Sequence, residues 1–233
     1  MSLDLIAFPE ERLLDTVLKK IDCKLVRRSN AKNYLSLEGD TLCFHSSNFK
    51  KPLFFNPNSG KMAFRLRRSE QESLIKKALG KLHSDAVIFD ATGGLLNDAL
   101  IMSSLGYKII AVEQSKILHA MLYCGLLNYS KANNLSLVHG HCEEKSLKHS
   151  FDVIYFDPMF ESSNTALRDK QFRMINEILE IESIKNDNHQ TFAHLRSFSD
   201  KKLIVKRPIK AEPFAGDINY QVKGRSIRYD IYI

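Results

Sequence analysis

The chain has 233 residues, 44% hydrophobic and 26% charged, which is room for one α/β domain and a small appendage, and no window is long and apolar enough to span a bilayer. Its 34 basic residues outnumber the 27 acidic ones for a formal net charge of +7, a balance that favours a polyanionic partner such as nucleic acid. The four cysteines, Cys23, Cys43, Cys124 and Cys142, lie far apart with no C-x-x-C pair, so neither a zinc site nor a disulfide framework is expected, and no metal.

The opening MSLDLIAFPEE has an acid at Asp4 and no basic leader; it does not read as a signal peptide, and a cytoplasmic location is expected. Glu10–Ile21 reads as a helix with Leu13, Leu14, Val17 and Leu18 on one face. Tyr34–Leu37 and Leu42–His45, separated by Glu38-Gly39-Asp40, read as a hairpin. Pro52, Pro57, Asn58 and Gly60 break any long element that follows. Residues 1–68 are therefore expected to form a small, partly β N-terminal subdomain, and residues 69–233 the main domain. There Glu70–Leu79 reads as a helix stopped at Gly80. Short apolar runs at 87–89, 109–112, 135–139, 152–156 and 203–205 read as strands. Helical patterns lie at 97–105, 115–129 and 169–182. Alternation through Ile218, Tyr220 and Val222, then Ile227, Tyr229 and Ile231, predicts an antiparallel hairpin about Gly224, with Tyr220, Tyr229 and Tyr232 as core. Strands alternating with helices predict an α/β fold with a mostly parallel sheet in three layers.

Three strand ends carry the candidate chemistry. The first is followed by Asp90-Ala-Thr-Gly-Gly-Leu-Leu-Asn-Asp98. A glycine turn at the carboxyl end of a strand lets backbone approach a ligand closely. The dinucleotide fingerprint G-x-G-x-x-G is absent, which disfavours a nicotinamide oxidoreductase. Acids at 90 and 98 repel a pyrophosphate and suit a sulfonium or ammonium group, and S-adenosylmethionine meets that requirement. Glu113 ends the second strand, where an acid can accept both ribose hydroxyls of an adenosine. Gln114 can line the adenine side, and His141 and Cys142 follow the third strand where a loop passes the base. Cys142 does not read as a nucleophile.

Asp157-Pro-Met-Phe160 follows the fourth strand. Asp157 can accept hydrogen bonds from an exocyclic amine and take up its proton; Phe160 can stack on the base. Arg65, Arg67 and Arg68 precede the main domain, and Lys206 and Arg207 follow the fifth strand; these five are the candidate phosphate contacts.

Taken together, Asp90-Ala-Thr-Gly-Gly with Asn97-Asp98, Asp157-Pro-Met-Phe160, Leu203-Ile-Val-Lys-Arg-Pro208 and Tyr229-Asp-Ile-Tyr232 resemble the RsmJ-type 16S rRNA guanine-N2 methyltransferases. The resemblance runs through most of the chain. It implies a Rossmann-like class I methyltransferase with a seven-stranded sheet, S-adenosylmethionine as cofactor, and a guanine N2 of 16S rRNA, guanosine 1516, as acceptor. It places the cofactor contacts on Asn97, Asp98, Glu113, Gln114, His141, Cys142 and Asp157, beside Asp90 and Gly93. The family commonly has Arg where this chain has Asn97 and Gln114, and a serine pair where it has His141-Cys142. The partner implied is 16S rRNA or the small ribosomal subunit; a monomer is expected by default. The rival readings are a methyltransferase of the same fold acting on another base or a protein amine, and a non-catalytic RNA-binding module.

Overall fold

The apolar runs become strands because their β-branched and aromatic side chains suit a buried pleated surface. The computed structural model describes residues 3–8, 11–159 and 170–233. Two compact units are formed, each from three stretches of chain.

One unit comprises Lys61–Gln114, Lys131–Glu161 and Asn186–Ile233. Its strands are β6 (Val87–Asp90), β7 (Lys108–Glu113), β8 (Leu135–His139), β9 (Val153–Phe156), β10 (Lys202–Pro208), β11 (Tyr220–Lys223) and β12 (Ile227–Tyr232). They form a seven-stranded sheet in the order β11-β12-β10-β9-β6-β7-β8. The pairs β10–β9, β9–β6, β6–β7 and β7–β8 are parallel, while β12 runs antiparallel to both neighbours. All four residues of β9 are buried, as a central parallel strand requires. Phe89, Ile154, Phe156, Leu195, Leu203, Val205 and Tyr232 share one core cluster. Helices α2 (Gly60–Arg67), α3 (Ser73–Leu79), α4 (Asn97–Ser104), α6 (Cys142–Ser146) and α8 (Asn188–Arg196) complete this unit.

The chain order reverses between β6 and β9: β7 and β8 continue to one side, β10 and β12 to the other. Ligands in open α/β sheets bind outside the carboxyl ends at such a reversal. Register does the rest. Asp90 lies opposite Tyr155, and Val205 opposite Phe156. The next residues along the parallel pair, Lys206 and Asp157, therefore come level at the end of β9; Lys206 and Arg207 do not follow the fifth strand as expected but lie within β10, paired with Tyr229 and Arg228 of β12.

The other unit comprises Met1–Gly60, Ser115–Ser130 and Ser162–Lys185. Its strands β1 (Leu3–Ile6), β2 (Cys23–Val26), β3 (Asn33–Glu38), β4 (Thr41–Ser46) and β5 (Leu53–Phe54) form a sheet in the order β2-β1-β3-β4-β5. The expected hairpin is β3–β4, turned at Gly39 with φ +58°. Helices α1 (Leu14–Lys20), α5 (Lys116–Leu127) and α7 (Lys170–Ile181) belong here, and α5 packs on β4. At Gly125 of α5 a Cβ would stand 2.5 Å from the Phe55 ring and carbonyl oxygen, so only glycine allows that approach.

Some expectations change. The first helix begins at Leu14 rather than Glu10; residues 9 and 10 lie outside the described residues. Strands β1, β2 and β5 were not expected. Tyr229 and Tyr232 are buried, but Tyr220 is 41% exposed, because edge strand β11 pairs only with β12.

Candidate active site

The turn after β6 is held by three backbone amides. Ala91 N donates to Tyr155 O at 2.9 Å, Gly93 N to Val112 O at 2.8 Å and Leu96 N to Gly93 O at 2.7 Å. A Cβ at Gly93 would sit 2.8 Å from that Val112 oxygen. Gly93 is thus required by the approach of the turn to β7. Leu96, fully buried, sits in the left-handed region at φ 55°, a strained conformation for a branched residue of the kind that gathers at functional sites. It launches α4, whose first residue Asn97 is exposed and whose second, Asp98, is buried.

Asp98 is the hub. Its Oδ2 accepts from Tyr155 Oη at 2.7 Å and from Lys206 Nζ at 2.7 Å. Its Oδ1 faces Arg65 at 3.4 Å, and Arg65 Nε donates to Glu72 at 2.8 Å. Lys206 Nζ also donates to Asp157 Oδ2 at 2.7 Å. One ammonium thus joins the carboxylate that opens α4 to the carboxylate that ends β9. Burial works to raise Asp98, but Lys206, Tyr155 and Arg65 outweigh it and hold the carboxyl below its ordinary value. Asp157 moves the other way, to about 6; burial is the main cause and the nearby Asp98 charge adds to it, against Lys206. Its side chain keeps 32% exposure, so a polar ligand can reach it. Burial opposes the Lys206 charge, yet the two acids lift it well above an ordinary lysine. Burial keeps Tyr155 a phenol, the form that donates.

Thr92 ties the two strand ends together. Its amide donates to Asp90 Oδ1 at 3.0 Å, and its Oγ1 accepts from Asp157 N at 2.7 Å. Asp90 is buried beneath this link and burial raises it to about 7. Glu113, at the end of β7, is buried, and its Oε2 accepts from Gly94 N at 2.9 Å. A carboxylate accepts several bonds at once, and this amide fixes how the group is turned. An oriented acid at the end of β7, a glycine turn at β6 and two acids about a lysine suit an adenosine carrying a positive sulfonium. The donor set fits S-adenosylmethionine.

Gln114 follows Glu113 half-buried, its carbonyl 3.2 Å from His139 Nε2. His141 is exposed at the start of α6. Cys142 is buried and its thiol is pushed up to about 12 by burial and by Glu143, which makes it wall rather than nucleophile. Phe160 lies outside the described residues. Of the five cations read as phosphate contacts, only Arg67 and Arg68 are exposed. Arg65 turns to Asp98 and Glu72, and Lys206 is enclosed by the acids. Arg207 is buried, its guanidinium 4.3 Å from the Phe214 ring centroid.

Sequence reasoning assigned no role to Thr92, Tyr155 or Glu72. Tyr155 could have been found: two residues before Asp157 on a strand, it shares that acid's face. Among the described residues no group of three or more His, Cys, Asp or Glu side chains is arranged to hold a metal, and no helix is long and apolar enough to cross a membrane.

Residues 18–233 match the family described as "Putative SAM-dependent methyltransferase". The ribosomal RNA small subunit methyltransferase J of Alcanivorax borkumensis is 34% identical over 194 residues, covering 78% of this chain and 75% of that one. The protein of the same name from Francisella tularensis subsp. novicida is 29% identical over 211 residues, covering 85% and 86%. The crystal structure of a SAM-dependent methyltransferase from Neisseria gonorrhoeae superposes with a TM-score of 0.72 at 25% identity, covering 99% of this chain and 95% of that one. The chain belongs to the ribosomal RNA small subunit methyltransferase J family of SAM-dependent methyltransferases.

Proposed function

We propose that this protein transfers a methyl group from S-adenosylmethionine to the exocyclic N2 of a guanine in 16S rRNA. The observation that carries the reading is the meeting of Asp98 and Asp157 on Lys206 at the carboxyl ends of the central strands, in a chain of this family. Bound S-adenosylmethionine supplies an electrophilic methyl group; the protein's own residues do the rest. Glu113 accepts from the ribose hydroxyls, and Gln114, His141 and Cys142 line the adenine side. Asp90, Gly93, Asn97 and Asp98 shape and charge the turn that faces the positive end of the cofactor.

An exocyclic guanine amine is a weak nucleophile because its lone pair is delocalised into the ring. Asp157 need not remove a full proton first. It accepts a hydrogen bond from N2–H, aligns the nitrogen, stabilises the charge that develops there and takes the proton the nitrogen sheds. Phe160, three residues on, stacks on the guanine in this proposal. Lys206 orients Asp157 through its Oδ2, and Arg67 and Arg68 contact phosphates. The same proposal has residues 1–68 as an N-terminal subdomain and residues 69–233 as the methyltransferase domain, in a cytoplasmic monomer whose partner is the small ribosomal subunit or its RNA.

The test is transfer of labelled methyl to undermethylated 30S subunits and to naked 16S rRNA, followed by nucleoside analysis. N2-methylguanosine is expected. Cofactor binding without transfer to either substrate would assign another acceptor, and loss of cofactor binding itself would leave an RNA-binding module.

A further inference from the structure

The arginine-rich helix α2 carries two faces. Arg65 turns inward, 3.4 Å from Asp98 and 2.8 Å from Glu72, and Ala63 is buried. Lys61, Phe64, Arg67 and Arg68 are all exposed. Lys61, Phe64 and Arg67 follow one another at spacings of three on α2, and Arg68 comes just past its end. Phe64 is 52% exposed, with the Arg68 guanidinium 5.1 Å from its ring centroid.

A single exposed apolar side chain is unremarkable. An aromatic ring set among three exposed cations has a narrower use. It is too small an apolar surface to dock a protein groove, and the cations that surround it favour a polyanion. Aromatic rings among cations bind single strands: each unstacked base offers a face to the ring while the backbone follows the charges. The inward Arg65 meanwhile ties this helix to Asp98, which Lys206 joins to Asp157.

We propose that the exposed surface of α2, with Arg68 just past its end, receives an unpaired nucleotide flanking the methylated guanine, its base stacked on Phe64 and its phosphates on Lys61, Arg67 and Arg68. This rests on the reading of the protein as an RNA methyltransferase and names the surface that seats the strand.

The experiment measures affinity of the full-length protein for a labelled single-stranded decaribonucleotide by fluorescence anisotropy, for wild type, Phe64→Ala, Phe64→Leu and Phe64→Tyr. Loss of one base stack predicts binding about tenfold weaker in F64A. F64L, apolar but not aromatic, is expected to be as weak as F64A, and F64Y to restore binding. Unchanged affinity in F64A, or full binding in F64L, overturns the stacking role. If F64A does not fold, the comparison of F64L with F64Y still decides. S-adenosylmethionine affinity serves as the control for folding. Failure of the enzymatic reading looks different: wild type transfers no methyl to 30S subunits or 16S rRNA, whatever the Phe64 series shows in binding.

Discussion

Asp98 and Asp157 are like charges that share one ammonium, each 2.7 Å from Lys206 Nζ. Removing the cation leaves a buried carboxylate and a partly exposed one close together, and a like charge disfavours ionisation. Asp157 sits near 6 in the intact site, and it must be ionised to accept from the guanine amine. The wild-type kcat/KM is therefore expected to fall as pH drops below about 6. In Lys206→Met that acid limb should move up by about one pH unit or more, with a stability loss of roughly 2–3 kcal/mol, reduced by the partial exposure of the group. Lys206→Arg keeps the charge and should hold the limb near its wild-type position. A limb that stays in place in K206M would show that the lysine does not govern Asp157. Asp90 gives a separate effect on stability. It is raised to about 7 by burial, so the folded protein holds a proton that the unfolded chain has released. Stability from this group is greatest below about pH 4, declines as pH rises through the window to about 7 and is flat above it. For about three pKa units the bound is roughly 4 kcal/mol. Asp90→Asn keeps an acceptor for the Thr92 amide and cannot ionise; urea titrations at pH 5 and pH 8 should show a smaller difference for D90N than for wild type.

At the scale of elements, the site depends on the turn after β6 touching both neighbouring strands. Thr92 Oγ1 accepts the Asp157 amide at 2.7 Å, and Gly93 N donates to Val112 O at 2.8 Å. Thr92→Val removes the acceptor and leaves a part-buried amide unpaired, at a cost of about 1 kcal/mol. Thr92→Ser retains the oxygen. If T92S transfers methyl like wild type while T92V loses about tenfold or more, the link between β6 and β9 positions Asp157; equal activity in both removes that role. Gly93→Ala brings a Cβ to 2.8 Å from a backbone oxygen and should lower Tm and cofactor affinity together. These links mark the limit of what a sequence displays. Asp90, Glu113 and Asp157 are legible because each closes an apolar strand run, and the carboxyl end of a parallel strand is where such folds bind. The glycines are legible as a turn, but the Val112 carbonyl that demands Gly93 comes from another strand. Lys206 reads as a surface cation because the register that sets it beside Asp157 belongs to the β9–β10 pair and to neither strand alone. Strands β1 and β2 escape notice for the same reason: β1 gains its order from parallel partners that follow much later in the chain.

At the scale of the whole molecule, a net charge of +7 draws the protein toward a polyanion, but the cations are not interchangeable. Lys206, Arg65 and Arg207 spend their charge on Asp98, Asp157, Glu72 and the Phe214 ring. Arg67 and Arg68 face water and suit phosphates, whose neutralisation releases counterions. For a single strand, each phosphate contact contributes a slope of about −0.7 in log affinity against log salt. Arg67→Glu with Arg68→Glu removes two such contacts and adds two like charges. The double variant should bind 16S rRNA at least tenfold more weakly at low salt and show a slope shallower by about 1.4. Its cofactor affinity should stay at the wild-type value, because neither side chain contacts the acids of the site. A uniform loss across RNA sequences, with an unchanged preference for guanine, identifies phosphate contacts. An unchanged salt slope would instead give these two arginines to local helix structure, where Arg68 already donates to Gln71 at 2.7 Å. The loss expected here grows as salt is lowered, whereas base stacking on Phe64 is only weakly sensitive to salt. A salt titration of R67E/R68E beside F64A therefore separates the charge that brings RNA to the helix from the ring that holds a base on it.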